Sequence, residues 1–160
     1  MSKFNDVNFF KPFIQGTMTT LKVQCHTEAK SHKPFFKGEG KELDFQIASV
    51  ITLNSASFCG SISLCYPEKV FLGIMSKMLG EEFKELTTEL EDGAAELLNI
   101  IYGQAKRVLI DQGYKVDMAI PTIIRGEKLK TRTLSKEKTI ILPFETENGI
   151  FHIEITTEGD

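Results

Sequence analysis

The sequence has little that would mark a secreted, membrane-spanning or nucleic-acid-binding protein. No apolar run within its 160 residues approaches the ~20 that a helix needs to cross a bilayer, so no membrane partner is expected. Cations are not in excess: 19 Lys and Arg stand against 22 Asp and Glu, a formal net charge of −3. Nucleic acid, whose phosphates call for clustered positive charge, is not an expected partner. The one basic cluster, RGEKLKTRTLSKEK at 125–138, reads as a solvated hairpin or loop, or as a docking surface for an acidic partner. Only three cysteines occur, Cys25, Cys59 and Cys65, with no C-x-x-C pair. Their odd number and irregular spacing exclude a disulfide frame and suit reduced, partly buried thiols. His26, His32 and His152 would need acidic residues as further ligands, and no spacing supplies them, so no metal site is expected. The first residues, MSKFNDVNFFKPF, hold a short apolar patch broken by Lys11 and Pro12 without a small-residue cleavage pattern. A secretory signal is not expected there, and the cytoplasm is the expected location.

What is present is an ordinary globular composition, 41% hydrophobic and 26% charged. A chain of this length buries about 70% of the surface it exposes when unfolded, so a single domain over residues 1–160 is expected. Val7, Phe10, Phe13 or Ile14, Met18 and Leu21 recur at helical spacing, and a helix is predicted from Pro12 to Cys25. HTEAKSHKPFFKGEG at 26–40 fits a strand or a loop. LDFQIASVITLN and SASFCGSISLCYP, joined at Asn54-Ser55, predict an antiparallel hairpin. In its second strand Phe58, Gly60, Ile62 and Leu64 alternate with Cys59, Ser61, Ser63 and Cys65, giving one apolar and one semi-polar face. A short helix follows Pro67, with Val70, Phe71, Ile74, Met75 and Met78 on one side and Gly80 placed to end it. A long helix is predicted from Glu89 to Asp111, with Thr87 or Thr88 as N-cap and Gly113 just beyond its end. YKVDMAIPTIIRG, TIILPFETE and IFHIEITTE supply further strands, the last two joined by a type I′ turn at Asn148-Gly149. The order implies an α+β fold, a mostly antiparallel sheet covered by two long helices and one shorter one.

The long helix carries an unusual stripe. Asp92, Glu96, Asn99 and Gly103 are spaced by 4, 3 and 4 residues and so line one side. Leu90, Ala94, Leu97, Leu98, Ile101, Ala105, Val108 and Leu109 supply the burying surface. The stripe lacks the Glu–Lys pairs of a typical solvent face, and Gly103 costs about 1 kcal/mol against Ala in a helix interior. Close approach of another backbone, from this chain or a partner, could compensate. Two readings follow from spacing alone. Glu96 and Asn99 point at water, or they form a two-point site that reaches into another molecule. An amide can accept a hydrogen bond from a water while donating to a neighbouring oxygen, which orients a nucleophilic water without deprotonating it. The chain has no Gly-rich phosphate cradle, no Ser-His-Asp order and no metal cluster. A catalytic reading therefore requires the substrate to bring the remaining groups.

Asp92-x3-Glu96-x2-Asn99, followed after twenty-one residues by Pro121, resembles the signature of the CheC, FliY and CheX family of chemotaxis phosphatases, which is Asp or Ser, x3, Glu, x2, Asn, x21, Pro. All four positions match. Length and element order are similar to the CheX branch, and only one copy of the motif is present, since the first helix has Pro12 and Gln15 where Glu and Asn would fall. The resemblance implies a CheC-like fold and an enzyme that hydrolyses the aspartyl phosphate of the phosphorylated response regulator CheY. By the same resemblance, Asn99 orients the attacking water and Glu96 pairs with the regulator's active-site lysine, with Asp92, Pro121 and Gly103 in support. It also implies no cofactor of its own, Mg²⁺ held by the regulator, and a homodimer. Two other readings of the residues are a module that binds the regulator or flagellar proteins without catalysis, and a dimerisation domain with a solvated stripe.

Overall fold

A 19-residue helix, α1 (Val7–Cys25), opens the computed structural model, which describes residues 7–39, 43–54, 59–117, 119–129 and 137–158. The helix starts earlier than Pro12. Phe9, Phe10 and Phe13 are all buried, and this anchors a turn ahead of the proline. Pro12 then forfeits the hydrogen bond its missing N–H would have given to residue 8, and its ring crowds that residue's carbonyl. The helix stops at Cys25 because His26 takes a left-handed φ of 48°, and the Thr27 N–H reaches back to the Leu21 carbonyl at 3.0 Å. The bond spans six residues, one more than the six-to-one closure of a Schellman end, and it ends the helix without glycine.

The 26–40 stretch holds two short strands, β1 (Lys30–Ser31) and β2 (Phe35–Phe36). The hairpin is β3 (Phe45–Asn54) with β4 (Cys59–Tyr66), paired from Ile47↔Tyr66 to Asn54↔Cys59. Ser55 of the expected turn and Phe58 lie outside the described residues. Helix α2 (Glu68–Leu79) begins after Pro67 and ends at Gly80, whose φ of 69° lets its N–H reach the Ser76 carbonyl. Helix α3 (Thr88–Asp111) is followed by β5 (Thr122–Leu129), β6 (Glu137–Thr146) and β7 (Gly149–Glu158).

Two local expectations change. The segment YKVDMAIPTIIRG is a strand only from Thr122, because Pro121 has no N–H to give a ladder and sits just ahead of the first paired residue, Thr122↔Val50. The β6–β7 turn is centred on Glu147 and Asn148, since Thr146 pairs with Gly149. Among the described residues only His26 is a non-glycine with positive φ, so the turn is not type I′. Gly149, at φ 127°, takes the positive angle instead. Residues 130–136 of the basic cluster lie outside the described residues, and Arg125–Leu129 belong to β5.

All strand pairs are antiparallel, in the order β1-β6-β7-β4-β3-β5 with β2 also on β6. The α+β fold is thus the expected one, with helices of 19, 24 and 12 residues. One sheet face presents Ile47, Ile51, Ile62, Leu64, Tyr66, Leu142, Phe144, Phe151, Ile153 and Ile155 to a core shared with the helices. The other face has its own small apolar cluster, Phe45, Ala48 and Cys65, flanked by Val50 and Leu129. Burial pushes the Cys25 thiol up to about 12, which keeps it an inert core group.

Candidate functional site

Helix α3 positions the stripe. Its start is fixed by the Thr87 hydroxyl, which accepts from the Leu90 N–H, and by Glu89 and Glu91 in the positive first turn. Leu90, Ala94, Leu97, Leu98, Ile101, Tyr102, Ala105 and Leu109 are buried, so the helix can rotate neither way without exposing them. Asp92, Glu96, Asn99 and Gly103 are left exposed on the opposite side. The side chains of Asp92, Glu96 and Asn99 have no hydrogen-bond or ion-pair partner among the described residues. The structure therefore brings the three polar groups together on one accessible surface.

The glycines divide differently from expectation. A Cβ at Gly103 would meet nothing within 4 Å, so no contact within the described chain requires it. Close helix approach is served by two other glycines. A Cβ at Gly16 of α1 would lie 3.4 Å from the Ile101 carbonyl oxygen, and one at Gly93 would lie 2.6 Å from Met75 Sδ of α2. Neither was marked by spacing, because a glycine at a helix crossing looks like any other until the partner helix is placed.

Pro121 is half-buried at the head of β5, which pairs with β3 beneath α3. Two contacts hold this segment to the helix. Arg125 Nη1 donates to Glu91 Oε1 at 3.0 Å, a partly exposed pair worth about 0–1 kcal/mol. The Tyr102 phenol, buried one turn beyond Asn99, donates to the Asp117 carbonyl. Burial and then the nearby Asp117 carboxylate push the Tyr102 phenol up from 10.0 to about 12. The folded chain thus holds this proton more tightly than the unfolded one. The resulting stabilisation is complete below pH 10 and is lost as pH rises through about 12. Tyr102→Phe is expected to cost about 1 kcal/mol at neutral pH and to flatten part of that alkaline loss. Urea unfolding of both proteins across the range checks it, and equal stability at neutral pH would remove the clamp.

Two hollows near the start of α3, about 750 and 490 Å³, are lined by Phe83, Lys84 and Leu86 of the α2–α3 loop and by Arg125 of β5, and include none of the four stripe residues. An exposed carboxylate and amide one turn apart can orient a water and bind a cation only where another molecule closes over them. On α1, Pro12 is buried and Gln15 exposed, so that helix offers no second carboxylate–amide pair. Of the histidines, His26 ends α1, His32 pairs with Glu145 at 2.8 Å on the surface, and His152 is buried against Glu154.

Comparison with known proteins gives a family match over residues 47–145, described as chemotaxis phosphatase CheX. A CheC-like superfamily protein from Shewanella sp. PV-4 is 34% identical, with a TM-score of 0.88, and the match covers 96% of this chain and 99% of that one. A chemotaxis protein CheX from Vibrio vulnificus is 33% identical, with a TM-score of 0.86, over 94% of this chain and 99% of that one. A CheX from Borrelia burgdorferi, solved as a CheX–CheY–BeF3–Mg²⁺ complex, shares the fold at 23% identity and a TM-score of 0.76, over 94% and 98% of the two chains. No curated protein sequence gives a match.

Proposed function

This chain belongs to the CheX family of chemotaxis phosphatases, and from that membership we propose that it hydrolyses the aspartyl phosphate of a phosphorylated CheY-type response regulator. The observation that carries the reading is the exposed Glu96–Asn99 pair on α3, without partners among the described residues, together with Asp92 and Pro121 at the family's spacing. The complex of the Borrelia burgdorferi relative with CheY, BeF3 and Mg²⁺ supports the choice of partner.

In this mechanism α3 inserts its stripe into the regulator. The Asn99 amide oxygen accepts a hydrogen bond from a water and its NH₂ donates to a nearby oxygen, which holds the water in line with the phosphorus. The water oxygen attacks phosphorus, the phosphorus–oxygen bond to the aspartyl group breaks, and aspartate leaves with the bond's electrons. The water's proton ends on the phosphate product. No base is needed from this chain, because a loose phosphoryl-transfer transition state asks mainly for position and charge stabilisation. Glu96 pairs with the regulator's active-site lysine and sets the register of the insertion. Asp92 favours the helix start, Pro121 shapes the segment beside the helix, and bare Gly103 lets the partner's backbone approach. Mg²⁺ is held by the regulator, and this chain contributes no cofactor to the reaction. The active form is a cytoplasmic homodimer, with one site per subunit.

Phosphate release from phosphorylated regulator and Mg²⁺, with and without this protein, tests the reading. Binding that persists while release stays at the regulator's own rate would leave a docking module and no phosphatase. Glu96→Ala is expected to raise the regulator concentration for half-maximal rate about tenfold, the loss of one charge-assisted pair, with a smaller change in kcat. An unchanged half-maximal concentration would remove Glu96 from the interface.

A further inference from the structure

The sheet face turned away from the helices holds a cluster that the proposed reaction does not use. Cys65 on β4 stands directly across from His152 on β7, and Ser63 stands across from Glu154. Side chains two apart on a strand share a face, so the register brings Cys65, His152 and Glu154 together. Their exposures are 0, 1 and 5%. Glu154 Oε2 lies 2.9 Å from His152 Nε2 and 4.0 Å from Cys65 Sγ, and the three donor atoms all fall within 4.8 Å of one another. The Phe45 ring meets His152 edge-on at 5.7 Å, and Ala48, Val50 and Leu129 close the cluster with apolar surface. Lys37 Nζ approaches Glu154 Oε1 at 3.4 Å, from the more exposed side.

We propose that Cys65 Sγ, His152 Nε2 and a Glu154 carboxylate oxygen form a buried site for a divalent transition metal, zinc above all. Tetrahedral zinc, with bonds of about 2.0–2.1 Å to nitrogen and oxygen and about 2.3 Å to sulfur, sets its N···O and S···O ligand edges near 3.3 and 3.6 Å. The N···O and S···O distances in the structure differ from these by about half an ångström or less, and the Cys65–His152 pair, within 4.8 Å, closes to its edge of about 3.6 Å by side-chain rotation. A thiolate among the donors selects against Mg²⁺ and Ca²⁺, and the S, N, O set suits Zn²⁺. Coordination sends the Cys65 proton to solvent. The dication is then balanced by one thiolate and one carboxylate around a neutral imidazole. Lys37 faces the same carboxylate, so ammonium and metal compete for it. The sequence hides this set because its donors are distant in the chain and only strand register unites them.

Cobalt(II) titrated into the metal-stripped full chain tests the proposal. The expected result is one cobalt per chain, with tetrahedral d–d bands and a thiolate-to-cobalt charge-transfer band, both removed by zinc. Cys65→Ser is expected to abolish the charge-transfer band. Lys37→Met, which leaves all three donors intact, is expected to bind cobalt about tenfold more tightly, the scale of effects from groups that contact a ligand. A weak octahedral spectrum in the parent chain, a charge-transfer band that survives Cys65→Ser, or a Lys37→Met affinity equal to or below the parent's would each overturn the site.

Discussion

Replacing Asn99 with alanine is expected to lower phosphate release from a saturating phosphorylated regulator by about two orders of magnitude, the typical cost of losing the alignment of a reacting group. The fold should not notice. Asn99 is exposed, its side chain has no partner among the described residues, and alanine has the higher helix propensity. Stability should therefore stay within about 0.5 kcal/mol, and the melting temperature should hold or rise slightly. Asn99→Asp discriminates further. It keeps the acceptor oxygen and the size but replaces the NH₂ donor with charge, beside a phosphoryl group that is already anionic. If the amide works by donating as well as accepting, Asp is expected to be no faster than Ala. If Asn99→Ala turned over like the parent, the water-orienting role would be lost, whatever the binding data showed.

The contrast with Glu96 follows from chemistry. A residue that holds the partner in register acts in the ground state and the transition state alike, so its loss shows mainly in the concentration dependence. A residue that aligns the water acts where bonds change, so its loss shows in kcat. Both lie on one helix face a turn apart, and the two kinetic signatures separate them without a structure of the complex.

Helix α3 was legible because several local signals agree: a threonine cap, acidic residues in the first turn, a 3.6-residue apolar stripe and Gly113 beyond the end, with φ 92°. The position of Glu96 and Asn99 opposite that stripe followed from the same periodicity. The sequence was silent where the deciding partner is remote. The 26–40 stretch fits a strand or a loop on sequence alone, because the two-residue strands β1 and β2 form only where β6 offers them an edge. The start of α1 was set by buried Phe9 and Phe10, a tertiary effect that outweighs the proline signal. The β6–β7 turn moved by one residue because the Thr146↔Gly149 pairing sets its position, where the Asn-Gly dipeptide alone suggested the next step. Gly16 and Gly93 needed the neighbouring helices in place before their role could be read.

Phe151→Ala is expected to produce the opposite phenotype to Asn99→Ala. Phe151 is 1% exposed on the helix-facing side of β7. Its ring stacks on Phe144 at 5.2 Å and lies 5.3 Å from Tyr66, which in turn meets Phe71 of α2 at 5.0 Å. Four rings thus join β6, β7, β4 and α2, and truncation at Phe151 opens a cavity among groups fixed by the sheet ladder, which cannot collapse into it. Such a change costs about 3–5 kcal/mol, and in a domain of this size the melting temperature should fall on the order of 10 °C. Phe151→Leu, which keeps much of the volume, should lose less than half of that. None of these rings belongs to α3, so the folded fraction of Phe151→Ala, assayed well below its melting point, is expected to release phosphate at the parent rate. A stability loss below about 1 kcal/mol would show that the aromatic cluster is not the keystone of the core. A loss of rate in the folded state would instead mean that the packing under β7 fixes the position of the stripe, and the separation between scaffold and α3 surface would no longer hold.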